Sequence, residues 1–232
     1  MPKRIALIGG TSGIGAAALQ QFQAQGHEIF AACRRPDILS AQGVQTQFFD
    51  AMAPTTLQWP EKLDGFIYCP GTISLKPFHR ISADDFVRDL QVNLLGAVHA
   101  LQSALPALKA SGNASVVLFS TIAVAQGMPF HASIAAAKGA IEGLARSLAA
   151  EWAPVIRVNV IAPSLTDTPL AQSLLSDETK RAAAAKRHPL QQVGDSNDIV
   201  ALMDFLLSDH SRFMTGQILR PDGGLSSVRL FG

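Results

Sequence analysis

Apolar positions along the chain follow two alternating rhythms. Short apolar or alternating runs occur at residues 5–8, 27–33, 44–49, 65–69, 114–119 and 155–161, with a last brief one at 217–219. Runs of this length, rich in branched and aromatic side chains, suit strands buried in a parallel sheet. Between them the spacing becomes helical. Phe86, Leu90, Leu94, Ala97, Leu101, Leu105 and Leu108 recur at that spacing, which predicts one long amphipathic helix over residues 83–110, interrupted only near Pro106. Residues 130–152 predict a second long helix, alanine-rich with small residues on more than one face. Shorter helices are expected over 16–25, ended by Gly26, over 170–186, and over 195–207, where Asp195 or Ser196 can cap the N-terminus. Pro54 and Pro60 leave room for little helix between the third and fourth strands. Strands alternating with helices over the full length, with no repeat and no low-complexity linker, predict one α/β domain over residues 1–232. Its expected form is a doubly wound parallel sheet of about seven strands with helices on both faces.

The first strand runs into a glycine-rich turn, so that residues 5–15 read IALIGGTSGIG. Gly9 permits the tight turn, Gly13 lets backbone N–H groups approach a pyrophosphate, and Gly15 lets helix and strand pack closely. Thr11 and Ser12 add hydroxyl donors beside Ile14, and the following helix presents its positive end to an anion. The glycines alone fit an ordinary strand-to-helix turn equally well. In a doubly wound sheet the ligand lies at the carboxyl ends of the strands, beside this loop, which places Asp50, Gly71, Thr121 and Pro163 around one cleft. The second strand ends on Arg34 and Arg35, cations where an acid would hold ribose hydroxyls; a cation there accommodates a 2′-phosphate, so NADP(H) is expected over NAD(H).

Composition narrows the function. Among 232 residues, 48% are hydrophobic and 16% charged, the formal net charge is +1, and long basic runs are lacking, so neither nucleic acid nor a membrane is an expected partner. A small-molecule substrate is expected instead. Cys33 and Cys69 are too few and too far apart for a disulfide framework or a zinc site, and read as reduced, buried thiols. Lys3 and Arg4 precede only four apolar residues before the glycines, so no signal peptide is expected and the cytoplasm is the predicted location.

With these residues in place the chain resembles the short-chain dehydrogenase/reductase family over essentially its whole length. The resemblance is carried by IGGTSGIG at 8–15, Asp50, Gly71, Asn93 in VNLLG, FST at 119–121, AAAKGAIEGL at 135–144, RVNVIAP at 157–163, Thr168-Pro169, and the stretch from TGQ to DGG at 215–224. It implies an NAD(P)-binding Rossmann fold, a homodimer or homotetramer built through the two long helices, and catalysis by an Asn, Ser, Tyr and Lys set. Carried over residue by residue, Asn93 would hold a water near the lysine and Lys138 would grip the nicotinamide ribose. The family serine falls on Thr121, which keeps a hydroxyl, and the family tyrosine falls on Ile134, which donates nothing. Smaller departures are Ile8, Cys69-Pro70 before Gly71, and Ser164 after Pro163.

Hydride delivery to a carbonyl carbon leaves an alkoxide that needs a proton. A positioned acid is worth about 10²–10⁴ in rate, against about 7–11 kcal/mol for holding the reactants in register. Three readings stay open: an oxidoreductase with another proton source, an NADP(H)-binding sensor or assembly partner without turnover, and a structural subunit pairing with an active relative. In the first, His131 lies at i−3 from Ile134 and i−7 from Lys138, sharing their face if the helix already includes it. The family's divergent enoyl reductases place their tyrosine at that spacing from the lysine. A water held by Asn93 and Lys138 is the other donor to consider. The balance favours an oxidoreductase acting on a carbonyl, an alcohol or a conjugated C=C bond, with Ile122, Met128, Phe130, Ile134 and Leu165 suggesting an apolar pocket.

Overall fold

The computed structural model describes residues 2–53 and 55–230, so Pro54 lies outside the described residues. Seven strands form one parallel sheet in the order β3-β2-β1-β4-β5-β6-β7. They are β1 (Arg4–Ile8), β2 (Glu28–Cys33), β3 (Gln45–Phe48), β4 (Gly65–Tyr68), β5 (Ala114–Phe119), β6 (Ile156–Ile161) and β7 (Ile218–Leu219). The order reverses between β1 and β4, which leaves a crevice at their carboxyl ends.

Successive side chains of a strand face opposite ways, and this divides the core in two. Ile5 and Leu7 of β1, with Ile67, Val117 and Ile161, pack beneath α1 (Gly13–Ala24) and α8 (Ser196–Leu207) through Leu19, Phe22, Met203 and Leu206. Ala6 and Ile8, with Phe66, Val116 and Val158, pack on the other face against α4 (Gly96–Ser111) and α6 (Ala132–Trp152) through Leu101, Leu108, Ile141 and Trp152. Burial on both faces explains why these runs are continuously apolar. Four short helices complete the chain: α2 (Pro36–Ser40), α3 (Ala83–Leu90), α5 (Ala123–Gln126) and α7 (Glu178–Lys186). No helix among the described residues is long and apolar enough to cross a membrane.

Two expectations about the long helices need correction. The first does not break at Pro106, which sits exposed inside α4; the irregularity is a π-turn over Gln91–Leu95 between α3 and α4. Side chains compete there for helical carbonyls: Asn93 donates from Nδ2 to the Asp89 carbonyl at 2.8 Å, and the Tyr68 hydroxyl donates to the Val92 carbonyl at 2.6 Å. Both carbonyls would otherwise serve the helix ladder, so the turn widens. Gly96 makes room for this, since a methyl carbon there would lie 2.3 Å from the Tyr68 hydroxyl. The second helix begins at Ala132 rather than 130, with Phe130 at φ +70 and His131 in the capping position.

Candidate active site

A cleft of about 850 Å³ opens at the carboxyl ends of the strands, beside the switch point. Asp50, Gly71, Thr121 and Pro163 all line it, as the alternation of strands and helices requires. The glycine loop forms one wall. Gly9 has φ +87 and Gly13 φ +53, conformations that suit glycine, and a methyl carbon at Gly15 would stand 2.0 Å from the Gly9 carbonyl oxygen. Helix α1 therefore starts hard against the end of β1. Its capping residue Ser12 makes no side-chain capping bond and its first turn holds no acid, so its leading N–H groups face the cleft without a local anion. Thr168 packs over the loop, with Cβ 3.4 Å from where a Gly13 methyl would lie, and Thr11, Ser12 and Ile14 line the same wall. These features fit a dinucleotide's phosphates.

Arg34 and Arg35 are both exposed, but only Arg34 lines the cleft; Arg35 is the residue before Pro36 at the start of α2 and stands outside it. Asp50 follows β3 and accepts the Met52 N–H at 2.9 Å.

Of the candidate catalytic residues, Asn93 and Lys138 meet beside Gly71. Asn93 is fully buried; its Nδ2 donates to the Thr72 hydroxyl at 2.9 Å, and its Oδ1 has no partner among the described residues. A methyl carbon at Gly71 would lie 3.3 Å from Asn93 Oδ1 and 3.6 Å from Lys138 Nζ, so both polar atoms border one small space. Burial pushes the Lys138 ammonium down to about 8, against the raising influence of Cys69 and Asp89. Thr121 follows β5 by two residues; its hydroxyl oxygen accepts the Ala123 N–H at 3.3 Å, which leaves its proton free to point into the cleft. Ile134 is buried on α6 one turn before Lys138 and lines the cleft with it. The chain's single tyrosine, Tyr68, lies inside β4 with its hydroxyl committed to Val92, and burial raises its pKa. No phenol lines the cleft among the described residues.

His131 also lines the cleft, but from the cap of α6 rather than from its first turn. Its Nδ1 donates to the Pro129 carbonyl at 2.7 Å, so the neutral ring presents only an acceptor at Nε2, and only the imidazolium has a proton to give. Ile122, Met128, Ile134 and Leu165 line the cleft as expected; Phe130 does not, and is 56% exposed.

Several cleft residues escaped sequence reasoning. Asp89, one turn before Asn93, is buried; its Oδ1 accepts from the Thr72 hydroxyl at 2.6 Å and its Oδ2 has no partner among the described residues. An acid at i−4 from Asn93 on an otherwise amphipathic helix was the available signal. Ser164 donates to Nε2 of buried His188 at 3.0 Å, while His188 Nδ1 donates to the Ala184 carbonyl at 2.9 Å. Nothing in the spacing of those residues announced that pair. Cys33 and Cys69 are both free thiols that line the cleft; Cys33 is buried, whereas Cys69 is only partly so.

A family model described as Enoyl-(Acyl carrier protein) reductase matches residues 9–226. The chain is 35% identical over 239 residues to a tropinone reductase homolog of Arabidopsis thaliana, covering 95% of this chain and 91% of that one. A short-chain dehydrogenase/reductase of the glucose/ribitol dehydrogenase kind from Brucella melitensis superposes with TM-score 0.87 at 26% identity, over 97% of both chains. The ligand-free aldohexose dehydrogenase of Thermoplasma acidophilum shares the fold with TM-score 0.89 at 24% identity, over 100% of this chain and 96% of that one.

Proposed function

The chain belongs to the short-chain dehydrogenase/reductase family, and on that premise we propose that it is an NADP(H)-dependent oxidoreductase of small carbonyl, alcohol or conjugated C=C substrates, with Ile134 where the family's catalytic tyrosine stands. The observation that carries this reading is the presence of Thr121 and Lys138 in the same cleft as the glycine loop and Arg34, with buried Asn93 turning its Oδ1 toward the space beside Gly71 and Lys138. In it, one NAD(P)-binding domain over residues 1–232 works as a cytoplasmic homo-oligomer. The nicotinamide cofactor, when bound, supplies or accepts the hydride.

The chain's own residues do the rest. The α1 N-terminus with Thr11, Ser12, Gly13, Ile14 and Gly15 receives the phosphates, and Arg34 meets the 2′-phosphate that marks NADP(H). Asp50 borders the adenosine side, Thr168 closes over the loop, and Lys138, beside Gly71, grips the nicotinamide ribose. Thr121 donates its hydroxyl proton to the substrate oxygen, and the apolar wall of Ile122, Met128, Ile134 and Leu165 keeps water from the reacting carbon. A water held between Asn93 Oδ1 and Lys138 Nζ, or His131 as imidazolium, would supply the final proton.

Ile134→Tyr tests the reading. It restores a phenol one helical turn before Lys138 and should raise NADPH-dependent reduction of simple ketones and aldehydes by up to about 10²–10⁴. If the native chemistry is instead the reduction of a conjugated C=C bond, the added ring fills the substrate space and abolishes it, and His131→Ala lowers it. Tight NADPH binding with no turnover of carbonyls or enones by either protein would favour a silent NADP(H)-binding partner and overturn the proposal.

A further inference from the structure

Asp89 is a carboxyl group, 1% exposed, that the reading above leaves without a task. Buried carboxyls are costly unless hydrogen-bonded or balanced by charge. Thr72 supplies one bond, at 2.6 Å to Oδ1, and Thr72 is itself held by Asn93 Nδ2 at 2.9 Å. Oδ2 is left over, and so is Asn93 Oδ1. These are two buried acceptors on consecutive turns of one helix, where a carboxylate or amide oxygen ordinarily finds a donor. The group able to satisfy them is the Lys138 ammonium, which borders the same space beside Gly71 and makes no ion pair among the described residues. Asp89 makes no direct ion pair with it; a water taking Lys138 Nζ, Asn93 Oδ1 and Asp89 Oδ2 as partners would join the three.

We propose that Asp89 is the positioning carboxylate that keeps Lys138 protonated, so that the Lys138 ammonium, directly or through that water, serves as the acid that Ile134 cannot be. The inference rests on the oxidoreductase reading above. As a hydride reaches the carbonyl carbon, the C=O π pair moves to oxygen and that oxygen takes a proton from the ammonium. A neutral amine remains and regains its proton from solvent.

The other ionisable groups around Lys138 do not serve this purpose. Burial pushes the Cys69 thiol up to about 12, so at neutral pH it is a neutral thiol, and its raising influence on Lys138 needs the thiolate that forms only at higher pH. Glu142, one turn along α6, is engaged by the Ser120 hydroxyl at 2.7 Å. Asp85 on α3 is paired with Lys76 at 2.7 Å; Asp84 and Arg88 on that helix are exposed. Arg157 on β6 is committed to the carbonyls of Leu206, Ser208, Ser211 and Met214. His131 points its Nδ1 proton at Pro129.

The test reads Lys138 in the cofactor-free protein, by carbon NMR of lysines labelled at Cε, with the resonance identified by its loss in Lys138→Met. The wild-type midpoint is expected near 8, and in Asp89→Asn about one pH unit lower or more, as removal of a nearby opposite charge requires. Asp89→Glu should keep it near the wild-type value. The alkaline limb of kcat/KM for NADPH-dependent reduction should move with the NMR midpoint. Should Asp89→Asn fail to fold, Thr72→Val, which removes the donor that favours the ionised carboxylate, should shift the midpoint the same way by less. An unmoved midpoint in the folded variant overturns the inference, as does a midpoint that moves while the alkaline limb stays. Absence of NADPH binding or turnover by the wild-type protein would instead overturn the proposed function, while the midpoint, read without cofactor, still reports whether Asp89 governs Lys138.

Discussion

Arg34 and Arg35 are neighbours in sequence and both exposed, yet the chain turns into α2 at Pro36 and leaves only Arg34 on the cleft wall. A hydrogen bond to a charged group contributes about 1.5–3 kcal/mol. Arg34→Gln is therefore expected to weaken NADPH binding by roughly 10- to 100-fold with little change for NADH, while Arg35→Gln leaves the ratio as it was. Cofactor fluorescence titrations decide this, and equal wild-type affinities for the two cofactors would sink the assignment. At this scale the sequence was informative where a residue's role follows from its own backbone. Gly9 and Gly15 were readable because a turn and a close helix-strand contact permit little else. Asp89 and the Ser164-His188 pair were not, because their meaning depends on partners 17 and 24 residues away, Thr72 and His188 respectively, which only the packed sheet brings near.

Among the elements, helix caps are where local sequence decides most. Asp195 accepts the Asn197 N–H at 2.7 Å, and Asp198 reaches back to the Asp195 N–H, so the pair satisfies donors that the first turn of α8 leaves free. Asp195→Ala should cost about 1 kcal/mol, which in a chain of this size lowers Tm by roughly 2–4 °C in calorimetry. An unchanged Tm would show that the cap is dispensable. Such signals, with the apolar runs of the strands, made most elements legible to within a residue or two. The π-turn at Gln91–Leu95 was not legible. Its cause is a hydroxyl arriving from β4, Tyr68, and an asparagine bonding back along its own helix, whereas spacing alone pointed to Pro106. Proline was the wrong marker because its ring sits on the exposed side of α4, where loss of one N–H disturbs little packing. The π-turn matters to the cleft, since it carries Asn93.

For the molecule as a whole, the open matter is what covers α6. Its outward positions are Ala136, Gly143, Arg146, Ser147, Ala150 and Glu151, and the large apolar side chains exposed on α3 and the π-turn beside it are Val87 and Leu95. Apart from Arg146 and Glu151, the outward positions of α6 are small. A methyl group at Gly143 would meet nothing within 4 Å in this chain. Small residues in a row let a second helix backbone approach closely, and a twofold axis would set α6 of one copy against α6 of another. A homodimer or homotetramer is expected by light scattering at micromolar concentration, and a monomer would refute it. Gly143→Trp sharpens the test, because the indole has open space in the single chain and none against a packed second copy. The variant should keep its circular dichroism and fall to lower mass. An unchanged mass would place the interface elsewhere on the surface.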